Sequence, residues 1–129
     1  MHRTCTRVFR SQKGPKVIPT EAQEGDTLVA YLRLRGYKFT HIANETGGTP
    51  EAKRRAIRVK RQGVSKGFPD YLVITSNGLV AIELKRVKGS KTSPEQLDWI
   101  EALTTAGIPA EICKGAQAAI DFINKVEGR

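Results

Sequence analysis

The amino-acid sequence predicts an α/β domain built on a mixed sheet. Three observations carry that expectation. Helix-start signals stand at Thr20, Thr49 and Ser93. Two apolar runs, 70–75 and 79–85, meet at Asn77-Gly78. The segments follow one another as helix, strand, helix, strand, strand, helix, strand, helix, an order that suits one sheet with helices packed on it. A chain of 129 residues with 39% hydrophobic and 27% charged content fits one such domain, and it shows no internal repeat.

Residues 1–18 are expected to form a basic, flexible arm ahead of a folded domain over 19–129. They hold Arg3, Arg7, Arg10, Lys13 and Lys16 and no acid. A frayed, solvated terminus and an arm lying on phosphate are both consistent with that composition. Met1 to Arg10 are followed by no apolar stretch, so no signal peptide is expected. No run of about 18 apolar residues occurs, so neither a membrane span nor a membrane partner is expected, and a cytoplasmic protein is the default.

Thr20-Glu21-Ala22-Gln23 has capping-box spacing, which places the first helix start at Thr20. Leu28, Tyr31 and Leu32, with Leu34 as a weaker fourth, give it an apolar side, and Gly36 ends it. Tyr37 to Ala43 reads as a short strand and Asn44 to Gly48 as a loop. Thr49 with Pro50 opens a second helix that runs to about Gln62 and stops at Gly63. It carries Lys53, Arg54, Arg55, Arg58, Lys60 and Arg61 against one acid, Glu51.

Asn77-Gly78 is a strong hairpin signal. A basic loop, Arg86 to Thr92, follows the hairpin. Ser93-Pro94-Glu95-Gln96 is a second capping box and opens a helix with Leu97, Trp99, Ile100 and Leu103 inward, ending at Gly107. Residues 108–113 form a last strand, and Ala116 to Val126 a last helix with Ala119, Ile120 and Ile123 inward.

The net charge of +9 favours an anionic partner. The basic second helix points to DNA phosphate. Cys5 and Cys113 are expected as reduced thiols, and His2 and His41 stand alone, so zinc-type Cys/His ligation lacks ligands. A catalytic metal would then rest on carboxylates, which favours Mg²⁺ or Mn²⁺.

The hairpin supplies such carboxylates. With Asn77 and Gly78 as the two turn residues, Asp70 faces Lys85 and Leu72 faces Glu83. Asp70, Glu83 and Lys85 then share one face at one end of the hairpin, with opposite Cβ atoms about 5 Å apart. The remaining hairpin residues are apolar on both faces, so the hairpin is expected to be buried on both sides. Two acids and one base at the edge of a buried sheet leave one negative charge over. A divalent cation would answer it, held by Asp70 and Glu83 with the Leu84 carbonyl as a further ligand. Lys85 would orient or activate water, or stabilise the phosphorane. A plain surface ion cluster is the competing reading.

Gly63-Val64-Ser65-Lys66-Gly67-Phe68-Pro69-Asp70, then Glu83-Leu84-Lys85, then Ser93 to Gln96, resemble the PD-(D/E)XK nuclease superfamily, and more narrowly its VRR-NUC (virus-type replication-repair nuclease) domains. The resemblance spans roughly residues 20–125. It implies a restriction-endonuclease-like core, Asp70 and Glu83 as metal ligands and Lys85 as the catalytic lysine. It also implies a glutamate on the first helix, for which Glu24 fits best and Glu21 is the alternative. Gln96 matches a glutamine near such sites, although it also completes a capping box. Asn44-Glu45 lies where relatives have an asparagine beside the site. Candidate DNA contacts are Asn44, Lys53, Arg54, Arg55, Arg58 and Arg61. Lys66, Arg86, Lys88 and Lys91 join them. The chain is similar to compact phage and bacterial enzymes that resolve four-way DNA junctions as homodimers, so Holliday junction resolution is the leading expectation. A flap or restriction-type endonuclease and a non-catalytic DNA-binding protein are the alternatives.

Overall fold

The structure is a computed structural model and describes residues 17–43 and 48–129. The elements are α1 (Glu21–Leu34), β1 (Lys38–His41), α2 (Pro50–Arg61), β2 (Tyr71–Thr75), β3 (Gly78–Lys85), α3 (Pro94–Thr105), β4 (Ala110–Lys114) and α4 (Ala116–Glu127). The sheet order is β1-β2-β3-β4, antiparallel except for the parallel pair β3–β4. This is the mixed α/β sheet the element order predicts. Most of the expected basic arm lies outside the described residues, as do Asn44 and Glu45.

Helix starts follow the sequence closely. Thr20 and Ser93 each accept the backbone N–H three residues on, and Gln23 and Gln96 reach back to the cap N–H, closing both boxes. Thr49 caps α2 ahead of Pro50. The core lies between the sheet and the pair α1 and α4. Leu28 and Leu32 of α1 and Ala119 and Ile123 of α4 pack with Val73, Val80, Ile82 and Leu84. Leu34 falls off that side and is 85% exposed. Cys113 is free and buried, and burial pushes its thiol up to about 12.

The expected burial of the hairpin on both sides needs correction. On the face away from α1 and α4, Ile74 is 54% exposed and Leu79 is 37% exposed. α3 packs against β4 and leaves that end of β2 and β3 open. Leu97, expected inward on α3, is also exposed. α2 buries no residue; Ala52 and Val59 alone are half-buried.

The hairpin register also differs from expectation. Thr75 pairs with Gly78 and Leu72 with Ala81, so Ser76 and Asn77 are the turn residues. Carried one pair past Tyr71↔Ile82, this register sets Asp70 across from Glu83, not Lys85. The cause is the C-terminal end of α4. Glu127 accepts both the Ser76 N–H and its hydroxyl, and Asn77 Nδ2 donates to the Val126 carbonyl at 2.6 Å. Among the described residues no non-glycine has positive φ, so Asn77 does not take the mirror-image turn conformation; Gly78 takes the positive φ instead, at 112°. The register has moved by two residues. An even shift keeps every side chain on its face.

Candidate active site

Asp70, Glu83, Lys85 and Gln96 meet at the end of the sheet. Asp70 stands one residue before β2, and its Oδ2 accepts the Leu84 N–H at 3.1 Å, across to β3. Glu83 and Lys85 are two residues apart on β3 and share a face; Lys85 Nζ lies 3.4 Å from Glu83 Oε1. Gln96 Nε2 donates to the same Oε1 at 2.7 Å, while Gln96 Oε1 accepts the Ser93 N–H at 3.0 Å. The two roles considered for Gln96, cap and site residue, are thus filled by its two amide atoms at once.

Glu83 and Lys85 are buried, at 3% and 9% exposure. Burial is the larger cause that raises the Glu83 pKa to about 7, and the charge of Asp70 adds to it. Lys85 pulls the other way, through charge and hydrogen bond, and is outweighed. Asp70 is raised as well, chiefly by burial; the Leu84 N–H and the nearby His41 and Lys85 oppose the rise. His41 stacks on Tyr71 with ring centroids 4.6 Å apart.

Of the two first-helix acids, Glu21 is the one whose charge bears on both Asp70 and Glu83. Glu24 Oε2 instead accepts the Ala116 N–H at 2.8 Å, at the start of α4. That helix opens on Gly115 at φ 92° and has no side-chain cap of its own, so Glu24 serves its positive end from a helix 92 residues earlier. A Cβ on Gly115 would lie 2.5 Å from that oxygen. The lack of a capping side chain at Gly115 was the one signal in the sequence for this role.

Sequence reasoning missed the way α3 also holds the Asp70 loop. Trp99 Nε1 donates to the Lys66 carbonyl at 3.1 Å, and its ring meets Phe68 edge-on at 4.9 Å. Gly67, at φ 91°, lies so close to α3 that a Cβ would sit 2.7 Å from the Glu95 carbonyl carbon. Pro69 is fully buried. The first two turns of α3 therefore grip the loop before Asp70 with Trp99 and Glu83 with Gln96.

The remaining basic candidates are spread over α2 and the loops before and after the hairpin. Lys53, Arg54, Arg55, Arg58 and Arg61 are exposed on α2. A shallow cavity of about 360 Å³ on that helix is lined by Glu51, Arg54, Arg55 and Arg58. Its three arginines suit phosphate rather than an enclosed apolar ligand. Lys66 precedes Gly67 in the gripped loop, and Lys88 and Lys91 are exposed after β3.

The donor set fits a hard divalent cation. Glu83 Oε2 is buried without a hydrogen-bond partner, the ionised forms of Asp70 and Glu83 together outnumber the one cation of Lys85, and all the ligands at hand are oxygens. Among the described residues, no three His, Cys, Asp or Glu side chains gather as a metal site, so protein ligands would be few and the cation would keep waters.

A mixed sheet between helices, with an acid before one strand of a hairpin and an acid and lysine two apart on the next, defines a restriction-endonuclease-like nuclease core of the PD-(D/E)XK type. The family model for the VRR-NUC domain matches residues 22–117, and the chain belongs to that family. A solved VRR-NUC domain protein shares 23% identity at a TM-score of 0.62, covering 84% of this chain and 88% of its own. A second solved VRR-NUC domain shares 18% identity at a TM-score of 0.58, covering 82% and 97%. Among curated proteins none matches. A nuclease domain implies binding to DNA. Among the described residues no helix is long and apolar enough to cross a membrane.

Proposed function

We propose that this protein is a divalent-metal-dependent endodeoxyribonuclease that cuts branched DNA, and that it resolves four-way junctions as a homodimer. The observation that carries the chemistry is the Asp70–Glu83–Lys85 cluster, in which Glu83 and Lys85 are buried and one Glu83 oxygen has no partner. Asp70, Glu83 and the Leu84 carbonyl would hold Mg²⁺ or Mn²⁺. Bound there, the ion would acidify a water and draw charge from the scissile phosphate. Lys85 Nζ would stabilise the charge that builds on the phosphorane, or orient the attacking water. Gln96 keeps Glu83 in one orientation. Glu21, rather than the capping Glu24, takes the first-helix role.

The preference for branched DNA rests on two points. Much of the positive charge stands on one exposed helix, a distribution suited to backbone phosphates and therefore to shape. A four-way junction needs two symmetric cuts, and the described residues of one chain form one acid cluster of this kind, so two copies would act together.

The test is a cleavage panel of four-way, flap, splayed and linear DNA with Mg²⁺, Mn²⁺ and chelator. Paired, metal-dependent cuts in the four-way junction are expected. Ready cutting of linear duplex or flaps with junctions left whole would overturn the resolvase reading. Asp70→Ala and Lys85→Ala should abolish cutting while junction binding largely remains; a protein whose DNA activity was untouched by either change would be a binder only.

A further inference from the structure

Two buried atoms at this end of the sheet lack a hydrogen-bond partner, and their charges are opposite: Glu83 Oε2 and Arg86 Nε. A cation answers the first. Nothing in the metal chemistry answers the second. Arg86 is half-buried, and among the described residues no carboxylate forms an ion pair with it. Its backbone is fixed on both sides. The Arg86 carbonyl accepts the Ser90 hydroxyl at 3.1 Å, and the preceding Lys85 carbonyl accepts the Gly115 N–H at 2.7 Å. The surrounding loop, 86–92, adds Lys88 and Lys91 and contains no acid.

A guanidinium N–H taken out of water without an acceptor is destabilising, so its retention calls for an acceptor that arrives from outside. The guanidinium fork matches a phosphate, and the all-basic loop repels most other cations and attracts an anion. Arg86 follows Lys85, the last residue of β3, and so stands on the loop rather than in the strand.

We propose that Arg86 is a receptor for a DNA phosphate next to the one that is cut, gripping the strand from the basic loop that leaves β3. The inference rests on the nuclease reading above. It gives Arg86 a substrate-binding role separate from the metal and from Lys85.

The test uses the full chain carrying Arg86→Gln or Arg86→Lys. Four-way junction binding would be measured in Ca²⁺ over a salt series, cleavage in Mg²⁺ or Mn²⁺, and the melting temperature without DNA. Arg86→Gln should weaken binding roughly ten-fold. It should lower the slope of log affinity against log salt by about one. KM should rise while the rate at saturating DNA changes little. Arg86→Lys should restore the slope but only part of the affinity, because the fork is lost. The free protein should melt no lower than wild type. Unchanged affinity and slope in Arg86→Gln, with wild-type cutting intact, would overturn the inference and leave the nuclease reading standing. A melting temperature several degrees lower, with activity lost in parallel, would mark Arg86 as structural and also overturn it. A wild-type chain that neither bound nor cut DNA would remove both.

Discussion

Glu83 sits where burial and the neighbouring Asp70 together outweigh its own lysine, and that imbalance has a thermodynamic sign. Its folded pKa is raised from 4.5 to about 7. A carboxyl raised on folding contributes its stability below the unfolded value and loses it as pH climbs through the folded value. At about 1.4 kcal/mol for each pKa unit, the metal-free fold gives up on the order of 3 kcal/mol between pH 4.5 and 7 from this residue. Asp70, also raised, acts in the same direction. In chelator, the melting temperature of wild type should therefore fall from pH 5 to pH 8 relative to that of Glu83→Gln, which lacks the penalty. Added Mg²⁺ or Mn²⁺ should raise the wild-type value more at pH 8 than at pH 5, and should leave Glu83→Gln nearly unmoved. A difference between the two proteins that stayed flat with pH would show that Glu83 ionises freely. The partners of the first-helix acids were less legible at this scale. Glu21 and Glu24 both stand in the first turn of α1, and only the three-dimensional position of Gly115 shows which one is committed to α4.

At the scale of elements, the helix starts could be read almost residue by residue, because a capping box is a local contract between positions three apart. The placement of Asp70, Glu83 and Lys85 on one face was legible for a similar reason: it depends on parity, and an even register shift preserves parity. The turn itself was not legible. Ser76 and Asn77 are held by Val126 and Glu127, some fifty residues later, and no local signal reports that grip. The open face at Ile74 and Leu79 was hidden likewise, since apolar residues on a strand do not reveal how far α3 reaches. α3 is the element that holds both acids in place. Trp99→Phe keeps the ring against Phe68 but removes the N–H donated to Lys66. A cost of about 1 kcal/mol in stability is expected from that bond. Mn²⁺ affinity and the saturating cleavage rate should fall with it, because the loop before Asp70 loosens. Gly67→Ala should do more damage, since the residue has φ 91° and its new Cβ would meet α3 backbone. Calorimetric metal titration of the two variants checks the order; equal metal affinity in both and in wild type would separate α3 from the site.

For the whole molecule, the question is where a charge of +9 is spent. The packed body ties down little of it, and α2 concentrates it. That helix is 12 residues long, buries no side chain and carries Arg54, Arg58 and Arg61 on one side, where like charges one and two turns apart repel. A free helix of this length is marginal in water. Polyanionic DNA relieves the repulsion by replacing it with phosphate contacts and releasing counterions, and each contact adds about 0.9 to the salt slope on duplex DNA. Replacing Arg54, Arg58 and Arg61 together by Gln should therefore lower the slope of log affinity against log salt by about 2 to 3. It should weaken binding steeply at low salt and much less at high salt. The cleavage rate at saturating DNA should be nearly unchanged, because the acids, Lys85 and Gln96 stand on other elements. The fold should also survive, with a melting temperature equal to wild type or higher, since three repelling charges leave a surface helix. Fluorescence anisotropy across a salt series, with cleavage rates at saturation measured in parallel, reads both quantities. If the slope holds its wild-type value, the DNA path does not cross α2. If the slope falls but the saturated rate falls equally, α2 does more than hold the strand, and binding and chemistry are coupled through the segment that joins α2 to Asp70.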